Sequence, residues 1–195
     1  GHPLDRYRKE IKSYSTVNTA TIANRRDQEE VTIGGLVNKL KLTQTKKNNE
    51  RMAILTLEDP EGMIDMLVFP RSYKECGHLL VKDAILFFKG NVDKKEGTPK
   101  LLVNEVTTIQ EAHKKFTRSV HVRLAVNGGE GESLKNLQEI LSQHHGSTPV
   151  YLEFMGENNA RQQMLVDRSL FVAPSENLVQ SLQKTFGEES IRPVI

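Results

Sequence analysis

The sequence is poor in cysteine, tryptophan and long apolar runs, and its charges nearly balance. A disulfide or a cysteine-based zinc site needs at least two thiols, so the lone Cys76 excludes both within this chain. No apolar run approaches the roughly 20 residues needed to span a bilayer, and the charged N-terminal segment does not fit a secretory signal. Lys and Arg number 27 against 25 Asp and Glu, which excludes the overall basicity of a histone-like protein. We therefore expect a soluble, cytoplasmic protein with no membrane partner, in which any binding of a polyanion depends on a local patch.

The chain opens with an amphipathic segment. Its 195 residues fit two small domains. Residues 3–16 predict a helix, because Pro3 suits a first helical turn and apolar side chains recur at spacings of three and four: Leu4, Tyr7, Ile11 and Tyr14. Residues 15–30 are polar and aperiodic, and we interpret them as a connector. Residues 1–30 are thus predicted to precede a packed domain that begins at Val31.

The next 80 or so residues show the pattern of a small barrel. Short alternating runs separated by turn residues predict five strands, at 31–42, 52–58, 62–69, 84–92 and 100–109. The apolar phase of the first strand changes at Gly34–Gly35, where we expect a β-bulge. A helix is predicted at 71–81, between the third and fourth strands. This order is typical of an OB-fold, here spanning 31–110; an SH3-like barrel is the alternative, and the helix favours the OB-fold.

A second unit of different character follows. Residues 111–118 are interpreted as a linker or short helix, and residues 119–195 as a small α+β module. A strand is predicted where four apolar residues alternate, namely Val120, Val122, Leu124 and Val126. Further strands are predicted at 149–155 and 162–167, with one helix ending at Gly146 and another running from Ser175 to Gly187. The predicted fold class is mainly β with an α+β part: an N-terminal helix, a five-stranded OB-fold barrel and a small α+β C-terminal module.

Positive charge is concentrated in two segments of the predicted barrel. The first, residues 39–51, has a net charge of +4 and contains Lys39, Lys41, Lys46, Lys47 and Arg51. The second, residues 89–100, has a net charge of +2 and contains Lys89, Lys94, Lys95 and Lys100. In an OB-fold these two loops flank one binding face, so the pattern predicts a path for a nucleic acid backbone. Each lysine taken singly could equally be an ordinary solvated charge.

Other residue types on the same strands suit sugar and base contacts. Thr43 and Thr45 carry hydroxyls that can reach phosphate or sugar. Period-two alternation places Ile54 and Thr56 on the outer face beside Phe69, which we predict as a base-stacking platform; simple core packing is the alternative for Phe69.

Groups for catalysis are sparse. Asp59, Glu61 and Asp65 lie around a predicted hairpin, where a carboxylate is commonly a turn former rather than part of a two-metal site. The segment Gly128–Gly131 is interpreted as a turn, since it lacks the lysine and hydroxyl of a phosphate-binding loop. We expect no catalytic residue, metal or cofactor in this chain.

Several stretches resemble one protein family. They are Gly1-His2-Pro3-Leu4 with the charged helix after it, Val31–Val37, Leu57–Gly62, Val68-Phe69-Pro70 and Gly146–Tyr151. Together they resemble the C-terminal region of the alpha subunit of bacterial DNA polymerase III, over nearly the whole chain. In that family the polymerase carboxylates precede the opening tetrapeptide, so the resemblance implies a fragment without the polymerase site.

The resemblance also implies partners. It implies an OB domain that contacts single-stranded template DNA, and a C-terminal module that in some members binds the clamp-loader tau subunit, with other replisome subunits as further partners. The full-length parent would be a DNA-directed DNA polymerase, a nucleotidyltransferase. Two alternatives stay open from the residues: an anticodon-binding type of RNA-binding domain, and an OB-fold scaffold that binds protein. The small size of the second unit leaves no room for the catalytic domain of a synthetase.

Overall fold

The structure is a computed structural model that describes residues 1–125, 130–156 and 161–194, and it forms two compact units, Gly1–Ile109 and Gln110–Ile195. The first unit contains three helices, α1 (Pro3–Arg6), α2 (Arg8–Tyr14) and α3 (Pro70–Cys76), and five strands, β1 (Glu30–Gln44), β2 (Arg51–Asp59), β3 (Gly62–Val68), β4 (Ile85–Asp93) and β5 (Lys100–Thr108). The strands close a barrel in the order β1-β2-β3-β5-β4, with β3 and β5 parallel. The predicted five-stranded OB-fold, with a helix between the third and fourth strands, is confirmed.

The predicted bulge at Gly34–Gly35 is wrong. β1 pairs without interruption with β4 across both glycines, and the register shifts instead between Val37 and Lys39 in the pairing with β2. The glycines serve close packing. A Cβ at Gly34 would lie 2.5 Å from the Phe87 ring, and one at Gly35 would lie 2.4 Å from a backbone carbonyl oxygen of β2. The extra residue, Asn38, therefore produces the change of phase that the sequence shows.

The N-terminal segment belongs to the packed unit rather than leading up to it. The predicted helix 3–16 is divided at Tyr7, whose ψ of 16° lies outside the helical range. Residues 15–30, predicted as a connector, supply Val17 and Ile22 to the barrel core, where they are 5% and 2% exposed. The Thr19 amide also donates to the buried Asp59 carboxylate at 2.7 Å. The packed unit therefore begins before Val31.

The second unit is an α+β module. Its strands are β6 (Ser119–Ala125), β7 (His145–Thr148), β8 (Val150–Met155), β9 (Arg161–Leu165) and β10 (Ile191–Val194), and its helices are α5 (Glu130–Gln143) and α6 (Glu176–Phe186), with α4 (Ile109–Phe116) in the predicted linker. A four-stranded sheet has the order β10-β6-β8-β9. Ser175 caps α6 through the Leu178 amide at 3.1 Å, and the helix ends at Gly187, as predicted.

Two strands of this unit, β7 and β10, were not predicted. Two further predictions lie outside the described residues. They are Val126 as the last alternating residue of the strand that begins at Val120, and Gly128–Gly129 as part of the glycine-rich turn. Across the described ranges, no helix is both long and apolar enough to cross a membrane.

Candidate nucleic-acid interface

The outer surface of β1, β2, β3 and β5 carries two parallel rows of outward side chains. In one row Lys39 pairs with Thr56, Thr56 with Asp65, and Asp65 with Lys100. In the next row Lys41 pairs with Ile54, and Ile54 with Leu67. Because side chains alternate across a strand, these residues share one face of the sheet. The register thus places cations of the first charged segment and Lys100 of the second on one surface.

Five cations of the β1–β2 hairpin are exposed, and we call them the hairpin cations: Lys39, Lys41, Lys46, Lys47 and Arg51. Within the described part of the chain, none of them forms an ion pair with a carboxylate. The hairpin turn is ordered by its own hydrogen bonds, since the Thr45 amide donates to the Glu50 carbonyl at 2.9 Å and the Thr45 hydroxyl accepts from the Glu50 amide at 3.2 Å. The hydroxyl of Thr45 therefore already has a structural role, whereas half-buried Thr43 lies on the strand itself.

Three of the four lysines of the second segment, Lys89, Lys94 and Lys100, are engaged within the fold. Lys94 donates its ammonium to the carbonyls of Ala23 and Arg25, at 2.8 and 3.0 Å. Lys89 lies on β4, opposite Thr32 and Glu105, with its ammonium 3.5 Å from a Glu30 carboxylate oxygen.

Lys100 has a carboxylate partner of its own. Its ammonium donates to Glu96 at 3.0 Å, and this hydrogen bond raises the pKa of Lys100 above its ordinary value. Lys95 is exposed at the turn between β4 and β5. The structure therefore brings Lys100 onto the outer face, but it places Lys89 elsewhere on the barrel and holds Lys94 against the N-terminal segment.

Apolar and acidic groups complete the outer face. Ile54 is 38% exposed on this face. Phe69, predicted as the last residue of the third strand, instead lies between β3 and α3 and is 45% exposed. Thr56 donates its hydroxyl to Asp65 at 2.8 Å, so that hydroxyl is occupied. Core packing does not account for Phe69, because nearly half of its surface is open to solvent.

Beyond the barrel, the β1–β2 hairpin and α3 enclose a cleft that the sequence reasoning missed. One concavity of about 700 Å³ is lined by residues that include Leu42, Lys46, Arg51 and Tyr73. A second, of about 460 Å³, shares Arg51 and Tyr73 with it and adds Lys74 and His78. The sequence carries no signal for this cleft, because its lining comes from two separate elements that only the fold brings together.

The second unit has a polar cluster on the sheet. Glu153 of β8, only 7% exposed, accepts from Arg192 of β10 at 2.8 Å and lies 2.9 Å from Nδ1 of His121 on β6. Nε2 of His121 lies 3.1 Å from the Ser119 hydroxyl, and its ring stacks on Tyr151 with centroids 4.9 Å apart. The Arg192 hydrogen bond lowers the pKa of Glu153 below its ordinary value. The cluster ties β6, β8 and β10 together.

The hairpin carboxylates have structural partners. Asp59, 3% exposed, accepts from the amides of Glu61 and Gly62 as well as from Thr19. Among the residues that the structure describes, no three histidine, cysteine, aspartate or glutamate side chains are grouped to hold a metal ion.

Comparison with known proteins finds similarity to one polymerase subunit. Residues 31–109 match the family described as OB-fold nucleic acid binding domain, and residues 136–187 match the DNA polymerase III subunit alpha, C-terminal domain. Over 98% of its length the chain is 31% identical to the DNA polymerase III subunit alpha of Escherichia coli O157:H7, 28% to that of Borreliella burgdorferi and 27% to that of Pseudomonas aeruginosa. It spans only 16 to 17% of the length of these relatives. The resemblance found in the sequence is thus confirmed: over nearly its whole length the chain is similar to the C-terminal region of bacterial DNA polymerase III subunit alpha.

Proposed function

We propose that this chain is a noncatalytic part of a cytoplasmic bacterial replicative polymerase, and that its barrel binds single-stranded template DNA. The observation that carries the proposal is the set of hairpin cations, which are exposed, lack carboxylate partners in the described residues and border a partly apolar sheet face. Membership of an OB-fold nucleic acid binding family supports the same conclusion.

The arrangement suits a strand whose backbone and bases contact different groups. Phosphates would follow the hairpin cations, while Ile54 and Phe69 offer apolar surface to unstacked bases. Asp65 and Glu58 lie on the same face and repel phosphate, which keeps the backbone toward the hairpin. Because stacking does not depend on base identity, we expect little sequence preference.

The second unit is proposed to contact replisome proteins, with the clamp-loader tau subunit as the first candidate. The proposal rests on the family of this unit. Its charge is consistent with a role other than DNA binding, since residues 118–195 have a net charge of −2.

Single-strand binding should depend steeply on salt. Each phosphate neutralised on a single strand changes the logarithm of affinity by about 0.7 per log unit of salt. Fluorescence anisotropy with labelled single-stranded and duplex DNA at several salt concentrations measures this slope. Affinity that is equal at low and high salt would contradict the electrostatic part of the proposal, and preference for duplex would contradict the single-strand assignment.

The purified chain should incorporate no nucleotides. Two-metal phosphoryl transfer needs converging carboxylates, and Asp59, the buried carboxylate of the β2–β3 hairpin, is occupied by backbone amides. A primer-extension assay with a labelled primer and template checks this expectation. Template-dependent extension would show that the chain contains a catalytic site after all.

A further inference from the structure

The cleft between the β1–β2 hairpin and α3 combines an aromatic wall with cations. Its two concavities, about 700 and 460 Å³, both have the size of small-ligand pockets. Tyr73 and Arg51 line both of them, so these two side chains stand where the concavities adjoin.

Gly77 leaves room for the Tyr73 ring. Its φ of −55° and ψ of −33° are ordinary right-handed helical values, so the backbone does not require glycine there. The available space does require glycine, because a Cβ at this position would lie 2.8 Å from both Cε2 and Cζ of Tyr73. The ring therefore lies against the bare backbone of Gly77 while it also lines the cleft.

The surrounding groups define the chemistry of a ligand. Lys46, Arg51 and Lys74 contribute three positive charges to the lining, against the one carboxylate of Glu50. Amide and hydroxyl groups of the hairpin, among them Asn49, add hydrogen-bonding partners. An acidic peptide would match the cations but not the aromatic wall, and an apolar side chain would match the wall but not the cations. A nucleotide matches both, since its base stacks on an aromatic ring and its phosphate pairs with arginine.

We propose that this cleft takes one unpaired nucleobase, stacked on Tyr73, with the adjoining phosphate at Arg51. The inference rests on the single-strand binding proposed above and adds a base subsite to it. The subsite lies beside the hairpin cations, because Lys46 and Arg51 belong to both.

The test compares a short oligothymidylate with an abasic deoxyribose-phosphate strand of the same length and charge. Tyr73→Leu removes the ring, Gly77→Ala displaces it while retaining the helical backbone, and Tyr73→Phe keeps the stacking surface. We expect Tyr73→Leu and Gly77→Ala to weaken oligothymidylate binding by at least about fivefold, within the range of about five- to 150-fold for one stacked base. Tyr73→Phe should bind as the unchanged protein does. Binding of the abasic strand, and the salt slope, should be unaffected by all three changes.

Each outcome separates the subsite from the wider proposal. If the unchanged protein binds no single-stranded DNA, the proposed function fails and the subsite with it. If it binds with the expected salt slope but Tyr73→Leu and Gly77→Ala have no effect, the subsite alone is wrong. Equal weakening of both strands would assign Tyr73 a structural role and also overturn the subsite. Thermal melting of each variant identifies loss of folding, which Gly77→Ala is expected to avoid because alanine is the better helix former.

Discussion

Replacing Lys46, Lys47 and Arg51 together by alanine is expected to weaken single-stranded DNA binding about a hundredfold at about 0.1 M salt. Each contact on a single strand changes log affinity by about 0.7 per log unit of salt. Relative to about 1 M salt, one contact therefore contributes about fivefold and three contribute about a hundredfold. The salt slope itself should fall by about 2.

Folding should be nearly unaffected by the same change. The three side chains are exposed, and within the described ranges they form no ion pair with a carboxylate, so their removal costs little stability. Thermal melting of the variant and the unchanged protein, run beside the DNA titration, separates a binding defect from unfolding.

A matched control removes the same charge from the second unit. Arg161, Arg168 and Lys184 are exposed there, and changing all three to alanine should leave DNA affinity nearly unaltered. If this control variant loses binding while the hairpin variant keeps it, the DNA path lies in the second unit. The barrel surface would then be better explained as a protein-docking site.

Glu153→Gln is expected to destabilise the second unit by about 2 kcal/mol near neutral pH. The substitution keeps the shape of the side chain but removes a buried charge that is hydrogen-bonded to Arg192. Hydrogen bonds to charged groups contribute about 1.5 to 3 kcal/mol. Hydrogen exchange of peptides from β6 and β8 measures the local opening free energy in both proteins.

The destabilisation caused by Glu153→Gln should disappear in acid. The Arg192 hydrogen bond holds the pKa of Glu153 below its ordinary value of 4.5, so the folded state binds this proton less readily than the unfolded chain. The stabilisation by the charged Glu153 is therefore fully present above pH 4.5, and it is lost as the pH falls through the lower pKa of the folded protein. The local opening free energies of the two proteins should therefore become equal at that low pH.

Glu139→Gln provides the control for this experiment. Glu139 is an exposed carboxylate on α5, and its replacement should change stability little at any pH. A Glu153→Gln deficit that persists unchanged in acid would mean that the cluster depends on shape rather than on charge.

The barrel could be predicted from sequence because its strands alternate regularly and its turns contain glycine and proline. The outer-face positions of Ile54 and Thr56 followed from that alternation. The packing of residues 15–30 could not be predicted, since only Val17 and Ile22 of that stretch enter the core and they show no period. β10 is a four-residue edge strand that contains Pro193, and both features weaken a strand signal.

Part of the candidate site escaped prediction for a different reason. The bonds of Lys94 to Ala23 and Arg25 join residues about 70 positions apart, and no local pattern records them. The same holds for the cleft, where Arg51 of β2 and Tyr73 of α3 line the same two concavities although they belong to separate elements. Charge counts found the basic segments, but only the fold distinguishes engaged lysines from available ones.

The bulge at Asn38 has a consequence for how the length of this chain can vary. Before it, odd-numbered residues such as Val31 and Ile33 face the core; after it, odd-numbered Lys39 and Lys41 face outward while Leu40 packs inward. Loss of Asn38 would remove the extra residue and leave both lysines outward, because Lys39 would then follow Val37 in ordinary alternation. Loss of Leu40 would instead move Lys41 to the inward position. Residues 45–50 lie beyond the paired positions of β1 and β2, so a change in the length of this turn does not alter which face the strand residues occupy. We therefore expect deletions to be tolerated at the hairpin tip and at Asn38 but rejected at Leu40, although all three sites lie on one continuous ribbon.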